Sequence, residues 1–185
     1  MRRSRSAAIR PTRRRLAGVL AALACLAAVE ARAQDSSAVA AIEAAYLTKF
    51  AAFVEWPADG QPLGAATLCV LAPDAIARLV EQVESKLQTD AGPPTVRRLT
   101  SEGQAADCRI LFIANADRRV PPPVSPPTPT LTITDQATEG RKGVINFIID
   151  EDRVRFEIDD AEAARRGLTI SSKLLSLAVS VKPRM

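Results

Sequence analysis

Residues 143–181 read GVINFIIDEDRVRFEIDDAEAARRGLTISSKLLSLAVSV, and this stretch carries the clearest structural pattern in the chain. Two apolar runs, Val144–Ile149 and Val154–Ile158, lie on either side of the polar turn Asp150–Arg153. Runs rich in Val, Ile and Phe around a short polar turn are typical of paired antiparallel strands. The stretch therefore predicts a β-hairpin near the end of the chain.

A short helix is predicted directly after the hairpin. Asp159 has the position of an N-cap, and Glu162 follows three residues later in the capping-box position. Arg165 and Arg166 would occupy the last turn, where cations suit the negative end of the helix dipole. Gly167 then supplies the left-handed residue that ends many helices. These signals agree on one helix between the hairpin and Gly167.

A second helix is predicted from about Thr169 onward. Apolar residues recur after it at the spacing i, i+4, i+7, i+8 and i+11, which is the spacing of one helix face. The stripe comprises Ile170, Leu174, Leu177, Ala178 and Val181. The pattern predicts a helix that buries this stripe in the core.

The first 33 residues have the pattern of an export signal. Seven arginines and no acidic residue lie within Met1–Arg15, and the apolar run Leu16–Val29 follows. This run is too short to span a bilayer comfortably, and it leads to the small-x-small sequence Ala31–Ala33. We predict a cleaved signal peptide at 1–33 and one domain at 34–185. A retained anchor is the alternative, and the arginines do not distinguish general secretion from twin-arginine export.

The net charge of the chain belongs to this leader. The whole sequence has a formal net charge of +4, whereas residues 34–185 contain 17 basic and 20 acidic side chains. An acidic domain without a basic stripe disfavours nucleic-acid binding. Residues 34–185 also lack an apolar run near 18 residues, so we expect a soluble product.

An amphipathic helix is predicted from Ala38, and Pro57 ends it. Helical spacing predicts one apolar face for this helix, with Glu43 off that face. The predicted face comprises Ile42, Tyr46, Phe50, Phe53 and Val54. Packing in the core is the favoured interpretation, and a partner or ligand surface is the alternative.

Strands and a helix alternate between this first helix and the hairpin. The predicted strands are Thr67–Leu71, Thr95–Thr100, Cys108–Ile113 and Leu131–Thr134, with a helix from Pro73 to about Leu87. Strand, helix and strand at this spacing are typical of a βαβ unit. We therefore predict a single α/β domain with a mixed, mostly parallel sheet of about five or six strands, flanked by helices. Residues Val120–Thr130, which contain six of the 13 prolines, are predicted to form an exposed polyproline-like loop.

Residue types exclude several classes of enzyme. The chain has no histidine, which removes Ser-His-Asp and Cys-His catalysis and histidine-dependent zinc sites. No glycine run has the form of a phosphate loop. Asp150–Asp152 lacks the spacing of a calcium loop and is explained by the hairpin turn. We predict no catalytic residue, cofactor or metal. A hydrolase that uses carboxylates, including Asp150, Asp152, Asp159 and Asp160, is the least favoured hypothesis.

Two cysteines remain after the leader, Cys69 and Cys108. Their separation of 39 residues differs from the Cys-x-x-Cys of a thiol oxidoreductase. In an exported protein an even pair is most simply a disulfide, although two separate buried thiols are the alternative. A loop of this length would gain about 3–4 kcal/mol of stability from the bond.

Two segments together resemble a known family. YLTKFAAFVEWP (Tyr46–Pro57) is similar to the first-helix signature of the YfiR-like periplasmic proteins, and Gly143–Ala178 is similar to their carboxy-terminal signature. The intervening TLCVL and DCRILFI segments match in order, with their cysteines. The resemblance thus covers most of residues 34–185.

This resemblance implies a small α/β protein in the periplasm that is not an enzyme. It implies a homodimer that binds the periplasmic sensor domain of an inner-membrane diguanylate cyclase and represses it, which lowers cyclic-di-GMP and biofilm formation. It also implies a disulfide between Cys69 and Cys108 whose redox state could tune the repressor. Some relatives have a second cysteine pair that this chain lacks, and the family usually has a helix where this chain has prolines before Leu131.

The alternative function is a small-molecule sensor module, with Tyr46, Phe50 and Trp56 near a pocket. Both functions can hold together if a ligand changes the affinity for the cyclase. The candidates for a dimer or cyclase contact are Ile170, Leu174 and Leu175.

Overall fold

The computed structural model describes residues 38–57, 67–86, 95–101, 104–105, 107–114, 129–135, 142–151 and 153–184, and the statements below concern these residues. The predicted signal peptide and most of the proline-rich segment lie outside them. From Val39 onward the described chain belongs to one compact unit.

Four α-helices and nine strands make up the described fold. Helix α1 covers residues 38–50 and continues into a 3-10 turn at Ala51–Phe53. The other helices are α2 (Asp74–Glu84), α3 (Asp160–Arg165) and α4 (Ser172–Leu175). The strands are β1 (Val54–Glu55), β2 (Thr67–Leu71), β3 (Thr95–Arg98), β4 (Ile110–Ile113), β5 (Leu131–Thr134), β6 (Ile145–Asp150), β7 (Arg153–Asp159), β8 (Thr169–Ile170) and β9 (Ser180–Lys182). Among the described helices, none has the length and apolar character that a membrane crossing requires.

Seven strands form the main sheet, in the order β3-β2-β4-β5-β6-β7-β9. All neighbours run parallel except β6 and β7, which form the predicted hairpin. Strands β1 and β8 pair separately as a small antiparallel sheet. The predicted α/β class with a mostly parallel sheet is confirmed. The sheet has more strands than expected because β9 adds to the edge of β7.

Alternation along the strands gives the sheet two faces. Alternate strand residues such as Leu68, Phe112 and Phe147 pack with α1, α2, α3 and α4 in the main core, and we name this side the helical face. The intervening residues of β2 and β4 pack in a second cluster around Cys69 and Cys108, and we name that side the disulfide face. Parallel strands that are covered on both faces are apolar along their whole length, which explains the fully buried β4.

The hairpin turn is tighter than its four polar residues suggested. Asp150 pairs directly with Arg153, so only two residues connect the strands. Glu151, the first of them, has φ 47°, a left-handed conformation that suits such short turns. Asp152, the second, lies outside the described residues.

Asp159 caps α3 as predicted, because its carboxylate accepts a hydrogen bond from the Glu162 backbone N–H at 2.8 Å. The second hydrogen bond of a capping box, from the Asp159 backbone N–H to the Glu162 side chain, does not form, so this part of the prediction is wrong. The Asp159 N–H donates to the Val144 carbonyl instead, and the Glu162 carboxylate accepts from Arg165 and Arg166. Gly167 ends the helix with φ 72°, as expected.

The long second helix predicted from Thr169 is wrong. Thr169 and Ile170 form β8, α4 has only four residues, and the chain is extended again at β9. The backbone of this segment pairs with β1 and β7 instead of continuing as a helix. The contact with β7 begins at Val179, whose N–H donates a hydrogen bond to the Phe156 carbonyl. Leu177, part of the predicted buried stripe, is 57% exposed.

The apolar face predicted for α1 is wrong at Ile42 and right at its other four residues, which lie in the core or pack against it. Ile42 is 46% exposed, whereas Glu43, which was placed off the face, is buried. The helix packs through Ala40, Ala44, Leu47 and Phe50. Small alanines let the helix approach the sheet closely, so the larger Ile42 is left at the outer side.

Candidate functional site

Strands β1 and β8, whose paired residues are more than 100 positions apart in sequence, join the two signature segments. Val54 pairs with Ile170, and Glu55 pairs with Thr169. The Ser171 N–H donates to the Phe53 carbonyl at 2.9 Å, which continues the pairing by one hydrogen bond. We name residues 53–57 and 167–171 the β1–β8 junction.

Two cations lie over aromatic rings at this junction. The Arg109 guanidinium is 5.7 Å from the centre of the Trp56 ring, and the Lys173 ammonium is 5.8 Å from that of Phe53. Both distances suit cation–π attraction. The Trp56 indole N–H is buried and has no hydrogen-bond acceptor among the described residues. Neither cation was identified from the sequence, because Arg109 and Lys173 belong to elements that only the fold brings to these rings.

The end of the described chain is fastened beside the junction. Arg184 donates to both carboxylate oxygens of Asp160, at 2.7 and 2.9 Å, and to the Leu168 carbonyl at 3.1 Å. Asp160 is buried, so this bidentate pair compensates a charge that has lost water. Lys182 reaches the Asp159 carboxylate at 3.0 Å. These contacts hold β9 and the residues after it against α3.

An aromatic cluster lies under α1 on the helical face. Tyr46 and Phe50 of the helix contact Phe147 and Phe156 of the hairpin, with ring centres 5.3–6.0 Å apart. Phe112 of β4 extends the cluster at 6.3 Å from Phe147. Edge-to-face and offset geometries at these distances add stability beyond the buried area. The cluster makes α1 and the hairpin one packed body.

Six residues were predicted as a partner or ligand surface, and the structure separates them into two groups. Phe50, Ile170 and Leu174 are buried in the main core. Atoms in the core cannot touch a partner, so the surface prediction does not suit these three residues. Tyr46, Trp56 and Leu175 are partly exposed at the edge of that core, and they stay predicted surface residues.

The exposed apolar residues near the junction were missed. Leu177 is 57% exposed and Val179 is 38% exposed, directly after α4. A continuous helix would have buried Leu177. In the structure α4 ends at Leu175, and the turn that follows exposes Leu177 to solvent. No signal within the segment distinguished the two arrangements.

On the disulfide face, Cys69 of β2 and Cys108 are bonded, as predicted. Both cysteines are almost completely buried. Arg97 of β3 lies opposite Cys69 in the strand register, and its Nη2 donates to the Cys108 Sγ at 3.3 Å. A charged side chain therefore contacts one sulfur of the bond.

The family model described as YfiR/HmsC-like matches residues 40–179. This chain belongs to the YfiR/HmsC-like family. The match covers α1 from Ala40 onward, strands β1 to β8 and the β1–β8 junction, and the predicted resemblance is thereby confirmed. No curated protein matches the chain.

Two carboxyl groups of this YfiR/HmsC-like chain are buried and bind protons more tightly than usual. Burial, with a smaller contribution from the nearby Asp135, raises the pKa of Glu43 to about 7. Burial, with a smaller contribution from Glu81, raises the pKa of Glu84 to about 7. Glu43 shares one helix face with Ala40, Ala44 and Leu47, and this spacing could have predicted its burial. The larger apolar side chains of Ile42 and Tyr46 favoured a different face.

The described residues contain no group of three or more potential metal ligands. Of the four carboxylates in the hydrolase hypothesis, Asp159 and Asp160 are engaged with the α3 cap, Lys182 and Arg184. Asp150 lies at the exposed hairpin end, and Asp152 is outside the described residues.

Proposed function

We propose that this chain is a non-catalytic periplasmic regulator that binds the periplasmic sensor domain of an inner-membrane diguanylate cyclase. Binding restrains the cyclase, which lowers cyclic-di-GMP and biofilm formation. Membership of the YfiR/HmsC-like family carries this proposal. The predicted export signal at 1–33 supports the location, because it would take the domain out of the cytoplasm.

The geometry of the β1–β8 junction supports a surface there for contact with the cyclase. Both signature segments meet there, and Trp56, Lys173 and Leu175 offer an aromatic, a cationic and an apolar group at its border. Exposed Leu177 lies two residues beyond Leu175. Partner surfaces combine such apolar and aromatic groups with a polar border.

The regulatory role is tested by deleting the gene and measuring cellular cyclic-di-GMP under oxidising and reducing growth. We expect cyclic-di-GMP to rise in the deletion strain and to return when the wild-type chain is supplied. Unchanged cyclic-di-GMP under both conditions would remove the proposed function.

The surface is tested by binding of the exported chain to the periplasmic domain of the cyclase. Leu175→Asp should weaken binding at least about tenfold with a near-normal melting temperature, since a buried charge at an interface centre is costly. Ile149→Asp, at the exposed hairpin end and outside this surface, is the matched control for a general effect of added charge. If Leu175→Asp unfolds the chain, Leu175 belongs to the core and Lys173→Glu tests the same surface. Normal binding by a folded Lys173→Glu variant would contradict the assigned surface.

We also propose that the chain is a homodimer, as the family resemblance implies. Sedimentation of the exported chain should give a mass twice that of one chain at micromolar concentration. A single-chain mass at the highest concentration tested would contradict this.

A second candidate function is small-molecule sensing, which the buried Trp56 N–H favours because it has no acceptor among the residues that the structure describes. A ligand oxygen that accepts from this N–H would satisfy a donor whose burial costs about 1–3 kcal/mol. Trp56→Phe keeps an aromatic ring and removes the donor. We expect a thermal-shift screen of periplasmic metabolites to find a stabilising ligand whose effect is lost in Trp56→Phe. No stabilisation by any metabolite would count against this function.

A further inference from the structure

The disulfide joins two sulfurs with unlike surroundings. Cys69 lies among the apolar side chains of Leu71, Leu99 and Leu111 in the core of the disulfide face. Cys108 belongs to the same cluster, but its sulfur also accepts a hydrogen bond from Arg97 at 3.3 Å. Among the described residues, the hydrogen bond from this cation goes to the Cys108 sulfur and not to that of Cys69.

Arg97 is incompletely satisfied while the disulfide is intact. Its Nη2 also donates to the Gln104 carbonyl at 2.9 Å, and Asp107 is 3.8 Å from Nη1 with a largely exposed side chain. The Arg97 Nε is buried and lacks an acceptor among the described residues. A disulfide sulfur is a weak acceptor, so the guanidinium gains little from it. A thiolate at the same place would accept a much stronger, charge-assisted hydrogen bond.

We propose that Arg97 makes Cys108 the reactive half of this disulfide, by holding its sulfur as a thiolate when the bond is reduced. Reduction by a dithiol breaks the bond between the two sulfurs with two electrons. Cys69 takes up one proton and becomes a thiol, Cys108 becomes a thiolate, and the dithiol becomes a cyclic disulfide and releases the remaining proton. This inference does not depend on the proposed cyclase partner.

Charged groups near Cys108 agree with this assignment. Among the described residues, Arg97 approaches from β3, Asp107 precedes Cys108, and Arg109 follows it with its guanidinium over the Trp56 ring. Strands β2 and β4 contribute apolar side chains. Asp107 is 81% exposed at its side chain, so solvent screens its opposing charge. The Arg97 side chain is 40% exposed, but its Nη2 contacts the sulfur directly at 3.3 Å, so this cation has the greater influence on the sulfur.

The reduced state differs from the bonded state in one connection. Cys108 begins the approach to β4, and the bond fastens it to β2 across a separation of 39 residues. Reduction releases this segment while the helical face keeps its packing. The consequence is a chain in which a negative charge at Cys108 accompanies a loosened disulfide face.

The first experiment measures the equilibrium between the whole exported chain and dithiothreitol as a function of pH. One proton is released on reduction if Cys108 is a thiolate, so the equilibrium constant should rise about tenfold per pH unit near neutrality. Arg97→Met should abolish this dependence below about pH 8, because an ordinary thiol titrates near 8.5. Arg97→Lys keeps the charge and should retain most of the slope.

Arg98→Met is the matched control, because Arg98 is the next residue of β3 and pairs with Glu81 of α2 away from the disulfide. It should keep the wild-type pH dependence. A flat profile in the wild type, or the same slope in wild type and Arg97→Met, would overturn the proposal.

A second measurement leaves Arg97 unchanged, in case its variants do not fold. Cys69→Ala leaves Cys108 as a lone thiol, and Cys108→Ala leaves Cys69. We expect iodoacetamide to alkylate Cys108 with a pH midpoint at least about one unit below that of Cys69. Equal midpoints, a lower midpoint for Cys69, or no alkylation of Cys108 in the folded chain would overturn the proposal.

Discussion

The helical face and the disulfide face of the sheet are stabilised in different ways. The helical face buries a continuous apolar core that includes Phe50, Phe112, Phe147 and Phe156. The disulfide face has a small apolar cluster, a covalent bond and a buried polar network around Asn146. Burial of apolar surface therefore stabilises the helical face, whereas the disulfide face, with its smaller apolar cluster, relies more on hydrogen bonds and on the disulfide. The comparison teaches that one sheet can combine a large apolar core on one face with a covalently fastened cluster on the other.

The largest expected effect is on the helical face. Phe147→Ala removes a ring that touches Tyr46, Phe50 and Phe112, and it should lower the free energy of unfolding by about 3–5 kcal/mol. Urea unfolding followed by circular dichroism measures the change. Phe147→Leu is the control and should cost clearly less. A loss under about 1 kcal/mol for the alanine variant would show that aromatic packing does not hold this face.

Removal of the disulfide should have the next largest effect. The double change Cys69→Ala with Cys108→Ala frees a loop of 39 residues, which corresponds to about 4 kcal/mol in the chain-entropy model and usually less in practice. The same loss should appear when the wild-type chain is unfolded under strong reduction. Equal stability of the oxidised and reduced chains would contradict the covalent role assigned to this face.

Glu43 gives the helical face a dependence on pH. Its pKa is about 7 in the folded chain against 4.5 ordinarily, so the folded state binds the proton more tightly than the unfolded state. The contribution of Glu43 to stability is therefore full below about pH 4.5 and is lost as pH rises through about 7, a total change of roughly 3 kcal/mol. Glu43→Gln should be more stable than wild type at pH 8 and about equal at pH 4. Parallel stability curves for the two chains would refute this account.

The smallest effect is expected in the polar network of the disulfide face. Thr134 donates to the Asn146 side-chain oxygen at 2.7 Å, and that oxygen also accepts from the Gly143 N–H. Thr134→Val should cost about 1 kcal/mol, because Gly143 still satisfies the oxygen. Asn146→Leu strands both donors and should cost more. Chemical denaturation of the two variants and their double mutant gives the coupling energy.

Local signals predicted the elements whose partners are adjacent in sequence. The hairpin, the Asp159 cap, the Gly167 stop and the strand Leu131–Thr134 follow from such signals, and the structure confirms each of them. The even cysteine pair likewise predicted the bond between β2 and the approach to β4. In these cases one favourable local conformation or one available partner decides the outcome.

The remaining features depend on partners that are distant in sequence. Thr169–Ile170 and Ser180–Lys182 have a helical pattern in isolation, but each finds an open strand edge in β1 or β7. The inward side of α1 was decided by how closely the alanines approach the sheet, which turned Glu43 inward and Ile42 outward. Helical spacing cannot weigh such contacts, because it contains no information about the facing surface.

The sequence by itself therefore determined the class of fold, the hairpin with its capped helix, the single disulfide and the lack of histidine chemistry. Only the tertiary structure decided that the two signature segments meet at the β1–β8 junction, that Arg109 covers Trp56, and that Arg97 contacts the Cys108 sulfur. The first group follows from residue types and short-range geometry. The second group depends on strands that are far apart in the chain and pair only in the folded state. Only that pairing places Arg109 beside Trp56 and Arg97 beside Cys108.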